Sequence, residues 1–231
     1  LPIFDCRLPL SAAQIDNRKS EIENGVLVRV AAIDLGTNTV RLLVGEADGA
    51  GGYRTVYAAQ EMTRLGEGLL PGRQIRAEPA RRSLEVLRRF RQAAEAHGAV
   101  ELAVVGTSAL REAENRSAFV KQARLEAGLE VRVISGEEEA RLTLLGVRAG
   151  LSLGPGGLLL MDIGGGSTEF LLADGLDIRT VVSTGLGAVK LTETHLMHDP
   201  PLSGELDRIR SLVAARMERL LAQDAPGLRE A

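Results

Sequence analysis

Short apolar runs recur along this chain in a pattern that repeats once. Val30-Ala31-Ala32-Ile33 and Val40-Arg41-Leu42-Leu43-Val44 flank the polar, glycine-containing turn Asp34-Leu35-Gly36-Thr37-Asn38-Thr39. About 130 residues later, roughly one domain length, Leu158-Leu159-Leu160-Met161 and Phe170-Leu171-Leu172 flank Asp162-Ile163-Gly164-Gly165-Gly166-Ser167-Thr168-Glu169. Apolar runs of this length bounded by glycine turns read as strands. Each unit is therefore a strand-turn-strand hairpin led into its turn by an aspartate.

Around these hairpins the pattern predicts two similar halves. The first has strands over 28–34, 40–47 and 53–60, the last two separated by Asp48-Gly49-Ala50-Gly51-Gly52. A helix follows from Pro79, acceptable at a first helical position, to about His97. Its apolar stripe is Leu84, Leu87, Phe90 and Ala94, and Gly98 stops it. Next come a strand over 102–105, a turn at Gly106-Thr107-Ser108, a helix capped by Asn115 and ended by Gly128, and a strand over 130–134. The order βββαβαβ belongs to a mixed-sheet α/β protein and not to a pure βαβ alternation.

The second half opens on Ser135-Gly136-Glu137-Glu138, a capping-box signature, for a helix reaching about Ala149 with Gly150 as its stop. Strands over 157–162, 168–173 and 178–184 repeat the meander, and helices near 187–197 and 203–222 follow. The first half closes its sheet with two further strands around a helix, and the second has no residues for them. We therefore expect an α/β protein of two lobes, the second incomplete at the C-terminus, either as a fragment of a longer protein or as a chain whose second domain lacks its final strands. The divisions are a loose extension over 1–27, a first lobe over 28–134 and a second over 135–231.

Composition narrows the partners. Aromatic residues are 3% with no Trp, and net charge is −3. Neither base-stacking platforms nor a generally basic nucleic-acid surface is expected. No run approaches the roughly 18 apolar residues of a membrane span, so a membrane is excluded as well. Cys6 is the single cysteine, which fits the reducing cytoplasm. The arginine run Arg81-Arg82, Arg88-Arg89 and Arg91 lies on the polar side of its helix and reads as a solvated face. His97, His195 and His198 have no ligand partners at metal spacing and read as surface or helix-end residues.

The turns carry the chemistry. Three consecutive glycines between two strands are entropically unfavourable and need a reason. Backbone N–H groups with Ser and Thr hydroxyls beside them suit phosphate oxygens, and a carboxylate suits a hard cation bridging those oxygens. Asp162 alone would read as a turn-initiating residue, but the second copy at Asp34 favours metal or phosphate chemistry. Gly36, Thr37, Asn38, Gly164, Gly165, Gly166 and Ser167, with Asp34, are the candidate phosphate cradles.

The duplicated unit resembles the actin, sugar-kinase and heat-shock-chaperone ATPase superfamily, with two ribonuclease-H-like lobes. Within it, four stretches are similar to the exopolyphosphatase/guanosine pentaphosphate phosphohydrolase family: 32–39, 105–111 (Val-Gly-Thr-Ser-Ala-Leu-Arg), 134–142 (Ile-Ser-Gly-Glu-Glu-Glu-Ala-Arg-Leu) and 161–169. The resemblance implies Mg²⁺-assisted hydrolysis of a terminal phosphoryl group from inorganic polyphosphate or guanosine pentaphosphate. It makes Glu139 the base for the attacking water, Arg111 a phosphate-binding arginine, and Asp162 and Glu169 the metal carboxylates. Glu137 and Glu138 are read instead as complementing the helix N-terminus. Dimerisation, common in that family, would bury an unfinished sheet edge. The competing reading from another class is a non-catalytic module that binds polyphosphate or an alarmone.

Overall fold

The computed structural model describes residues 28–47, 52–151, 156–175 and 177–224. The extension over 1–27 and most of the 48–52 turn lie outside them. Strands β1 (Arg29–Leu35), β2 (Thr39–Ala47) and β3 (Tyr53–Met62) form the expected antiparallel meander. They are followed by α1 (Ala77–Ala96), β4 (Glu101–Gly106), α2 (Ser108–Glu112), α3 (Arg116–Gln122) and β5 (Val131–Val133). β4 joins β1 in parallel and β5 joins β4, giving the sheet order β3-β2-β1-β4-β5.

Alternation along the strands explains where the core sits. Ala31, Ile33 and Leu35 of β1, with Val40, Leu42 and Val44 of β2, point to one face and pack on Leu84, Leu87 and Phe90 of α1. Pro79 falls in the first turn of α1, where its missing N–H would have had no helical acceptor. Asn115 precedes α3 as expected, but its side chain does not cap the helix. It instead accepts from Ile75 N at 2.9 Å and donates to Ile75 O at 3.0 Å, tying down the loop before α1. After α3 a π-helical turn over Ala123–Ala127 ends at Gly128, whose φ of 65° favours glycine.

Helix α4 (Gly136–Gly150) leads to the second sheet, β6 (Gly157–Ile163), β7 (Thr168–Asp174) and β8 (Asp177–Thr184), paired in that order. Among the described residues this sheet is wholly antiparallel, because counterparts of β4 and β5 are not among them. Ala140, Leu144 and Val147 of α4 cover Leu160, Leu171 and Ala173. Helices α5 (Ala188–His195) and α6 (Ser203–Arg219) follow, and Leu220 beyond α6 packs on Phe170. No helix among the described residues is long and apolar enough to cross a membrane.

Candidate active site

The two hairpin turns are built alike. Leu35 pairs with Val40 and Gly36 N donates to Thr39 O at 3.1 Å; Ile163 pairs with Thr168 and Gly164 N donates to Ser167 O at 2.9 Å. The turns meet face to face. A methyl group added to Gly166 would lie 2.5 Å from Thr37 Oγ1 and 2.4 Å from Ser108 Oγ, and one on Gly165 would lie 3.3 Å from Asn38 Cβ. These glycines are needed for close approach between lobes and not for left-handed backbone, since none has a positive φ. Gly187 enforces the same closeness on the other side, where a Cβ would sit 2.2 Å from the Gly166 carbonyl carbon. The Gly164 and Gly165 carbonyls accept from Ala188, Val189 and Lys190, seating the start of α5. That leaves the N–H groups of Thr37, Asn38, Gly165, Gly166 and Ser167 without hydrogen bonds among the described residues. Free N–H groups on two facing turns are the donors an anion cradle would use.

Into this cleft α2 and α4 each deliver one side chain. Ser135 Oγ accepts from Glu138 N at 3.1 Å, so half of the expected capping box forms. The Glu138 carboxylate turns away to Arg132. Glu139, one residue further, faces Arg111 of α2, whose Nη1 donates to Glu139 Oε2 at 2.6 Å and to Ile134 O at 3.2 Å. Arg111 Nη2 donates to Ser167 Oγ at 3.3 Å and lies 3.6 Å from Glu169 Oε1. One guanidinium from the first lobe thus holds the base candidate, the second turn and a buried acid together.

Two of the four cleft carboxylates, Glu139 and Glu169, meet that guanidinium. Asp162 and Glu169 are cross-strand partners, so both side chains leave the same face of the second sheet. Glu169 is buried and accepts from Ser183 Oγ at 2.7 Å. Burial raises its pKa, against the pull of Ser183, Ser167 and Arg111. Burial also pushes Glu139 up to about 7, with the Glu169 and Asp34 charges adding to it and Arg111 opposing. Asp34 is raised by burial first; Arg41 lowers it and the Asp162 charge raises it. Asp34 and Asp162 therefore sense each other across the cleft. Asp34 Oδ1 is buried without a partner among the described residues, while Oδ2 accepts from Arg41 at 3.4 Å.

These donors fit a cation of one particular kind. No three His, Cys, Asp or Glu side chains are arranged to hold a metal among the described residues. A closed protein cage is excluded there. Carboxylates beside an anion cradle, one with an orphaned oxygen, suit Mg²⁺, which takes one or two carboxylates and completes its shell from waters and substrate phosphates.

Among the residues singled out in the sequence, Arg111 meets Glu139, Ser167 and Glu169, and Thr37 and Asn38 lie against Gly165 and Gly166. Asp34 and Asp162 sense each other, and Gly36 and Gly164 close their own turns; further residues join them. Ser108 Oγ donates to Glu112 Oε1 at 3.0 Å, and Glu112 pairs with Lys190 of α5, clasping the lobes. Glu193 of α5 accepts from Gly68 N at 3.0 Å, a second clasp. Thr143, one turn beyond Glu139, lies within 3.2 Å of Asp162 Oδ2. Spacing of four along a helix puts Thr143 on the face of Glu139, a signal the sequence did carry. The others depend on tertiary contact.

Two further features stay outside the chemistry. A cavity of about 980 Å³ lies between α4 and the face of the first sheet turned away from α1. It touches Asp34 and Arg41, but Ala32, Leu43, Ala58, Leu142 and Leu145 give it an apolar lining unsuited to a polyanion. On α1, Arg81, Arg82, Arg89 and Arg91 are each paired with a glutamate, as a solvated face would be.

The sequence pattern of the Ppx/GppA phosphatase family matches residues 44–226. Exopolyphosphatase 1 of Mycobacterium bovis is 34% identical over 191 residues, covering 82% of this chain and 55% of its own length. Exopolyphosphatase 2 of Mycobacterium tuberculosis is 36% identical over 205 residues, covering 84% of this chain and 63% of its own. The crystal structure of the Aquifex aeolicus Ppx/GppA family member superposes with a TM-score of 0.68 at 30% identity, over 84% of this chain and 63% of that one. The fold is thus the α/β, actin-like type. The chain spans little more than half the length of these relatives.

Proposed function

This chain belongs to the Ppx/GppA phosphatase family, and from that premise we propose that it carries the catalytic cleft of an exopolyphosphatase. The observation that carries this reading is Glu139, held 2.6 Å from Arg111 beside two facing turns with unused N–H donors. The substrate class is inorganic polyphosphate, the activity named for the curated relatives.

In this reading the terminal phosphoryl group lies in the cleft beside the paired turns, its oxygens accepting from the free N–H groups and from Arg111. Water attacks in line with the bridging oxygen. A new P–O bond forms from water as the terminal anhydride P–O bond breaks, and orthophosphate leaves a chain one residue shorter. Glu139 takes the proton from the attacking water; a carboxylate titrating near 7 suits a general base at neutral pH. Before that step Arg111 exchanges Glu139 for phosphate oxygens, which frees the base as the substrate arrives. Mg²⁺ on Asp162 and Glu169, with Asp34 opposite, would neutralise charge developing on the phosphoryl and leaving oxygens. Glu169, already held by Ser183 and Arg111, serves that site by orientation as much as by ligation.

The test is orthophosphate release with Mg²⁺ from polyphosphate, guanosine pentaphosphate and ATP, run in parallel for this chain and Glu139→Gln. Release from polyphosphate that collapses in the variant supports the reading. Preference for guanosine pentaphosphate would move the substrate within the family. Polyphosphate binding without release from any substrate would leave a binding module.

A further inference from the structure

Each of the cleft carboxylates has its own donor, and the donors differ in charge. Asp34 is met by Arg41, Glu139 by Arg111, and Glu169 by Ser183 with Arg111 beyond it. Asp162 is met by a neutral hydroxyl alone among the described residues: Thr143 Oγ1 lies 3.2 Å from Asp162 Oδ2 and 3.0 Å from the Glu139 carbonyl. A threonine hydroxyl has one proton. A carboxylate is the stronger acceptor, so the contact fixes the direction of Asp162 without cancelling its charge. Asp34, at the matching hairpin position, is partly neutralised by Arg41 instead.

We propose that Thr143 is a positioning residue, which orients the Asp162 carboxylate toward the cleft from the same helix that carries Glu139. Thr143 follows Glu139 by one helical turn, so helix α4 sets the base and the carboxylate facing the proposed cation at a common spacing. Outer-shell hydrogen bonds of this sort hold ligating carboxylates in orientation. What Asp162 does once oriented rests on the hydrolase reading above; the contact itself does not.

Mn²⁺ binding, followed by the loss of its free-ion electron spin resonance signal, separates the two. We expect Thr143→Val to weaken Mn²⁺ affinity by about 10- to 100-fold, the range for outer-shell partners, and Thr143→Ser to restore it to within a few-fold. Since valine matches threonine in shape, the melting temperature of Thr143→Val should stay close to that of the parent. The Mg²⁺ concentration for half-maximal phosphate release should rise by the same factor, with KM for polyphosphate unchanged at saturating metal. Parent-like Mn²⁺ affinity in Thr143→Val would overturn the proposal, as would failure of the serine variant or absence of any Mn²⁺ site in the parent chain. A parent chain that binds Mn²⁺ and shows the Thr143 effect, but cleaves nothing, would sink the hydrolase reading alone.

Discussion

The two hairpins share one backbone and differ in charge. At the strand pair entering the turn, β1–β2 sets Asp34 opposite Arg41, whereas β6–β7 sets Asp162 opposite Glu169. The first hairpin is close to neutral by itself. The second concentrates two carboxylates and must obtain positive charge from elsewhere, and it obtains Arg111 from the opposite lobe. Duplication therefore supplies two like turns, and a single exchange of Arg for Glu gives the second the pair of carboxylates on which the proposed cation site rests. That asymmetry is what makes the cleft chemically directional.

The largest effect should come from comparing the two arginines. Arg111→Met removes a mostly buried cation facing Glu139 and Glu169. We expect phosphate release to fall by about 10³-fold or more, given what arginines contribute to phosphoryl transfer, with stability falling by about 3 kcal/mol as for a broken buried pair. Arg41→Met removes an exposed partner and should change stability by less than about 1 kcal/mol. Equal losses in both variants, by denaturant titration and phosphate assay, would erase the distinction between the hairpins.

Glycines give the next step down. Alanine at 166 meets Ser108 and Thr37 of the other lobe, whereas alanine at 36 meets only its own turn, 2.9 Å from Thr39 O. Forcing the lobes apart by a fraction of an ångström misplaces the reacting groups. Gly166→Ala should therefore lower release by up to about 10²-fold and exceed Gly36→Ala. The reverse order would mean that the turns do not close on a shared substrate.

Much of this was legible because it is local. The hairpins, the Leu84–Ala94 stripe and the Ser135 cap follow from periodicity and turn chemistry within a few residues. Glu139 was singled out by the family resemblance, one residue past a cap that needs only Glu138. The five-residue helix α2 was read as part of a turn, since five residues carry no periodic signal, and with it went Ser108 and Glu112 as lobe contacts. Asn115 sits where a cap belongs but satisfies Ile75, 40 residues away, and no local rule encodes that choice. Ser183, Lys190 and Glu193 act through partners brought close only by folding. The reason for Gly165 and Gly166 also changed, from backbone freedom to the lack of room for a side chain.

Acidity offers a graded test of the same contrast. Glu139, raised mainly by burial to about 7, must be ionised to accept a proton. Release should climb roughly tenfold per pH unit below that value and level off above it. Stability runs the other way. The folded state binds this proton more tightly than the unfolded one, so the contribution is full below about 4.5 and is lost as pH rises toward 7. Glu205 is the counterexample, lowered to about 2 by His198 and the Met197 and Leu202 N–H groups. Its contribution is present above about 4.5 and lost as pH falls toward 2. Glu139→Gln should flatten the melting-temperature slope on the neutral side only; flattening on the acid side would contradict the assignment.

The smallest effect lies on the strands themselves. Ala31, Ile33 and Leu35 of β1 are buried under α1, while their counterparts Leu159, Met161 and Ile163 of β6 are 51%, 57% and 63% exposed. Ile33 and Met161 occupy the same place in equal registers, counted back from the pairs Leu35–Val40 and Ile163–Thr168. Truncating Ile33 to alanine removes a fully buried side chain and should destabilise by about 2–5 kcal/mol. Met161→Ser, by contrast, removes apolar surface that already meets solvent, so its melting temperature should shift by no more than a degree or two. Its effect should appear as reduced self-association, because an edge strand with an exposed apolar row is an aggregation template. Light scattering across a concentration series, alongside thermal melts, reads both quantities. A melting-temperature loss in Met161→Ser approaching that of Ile33→Ala would mean that the β6 row is packed in solution, and the two hairpins would then differ in charge alone.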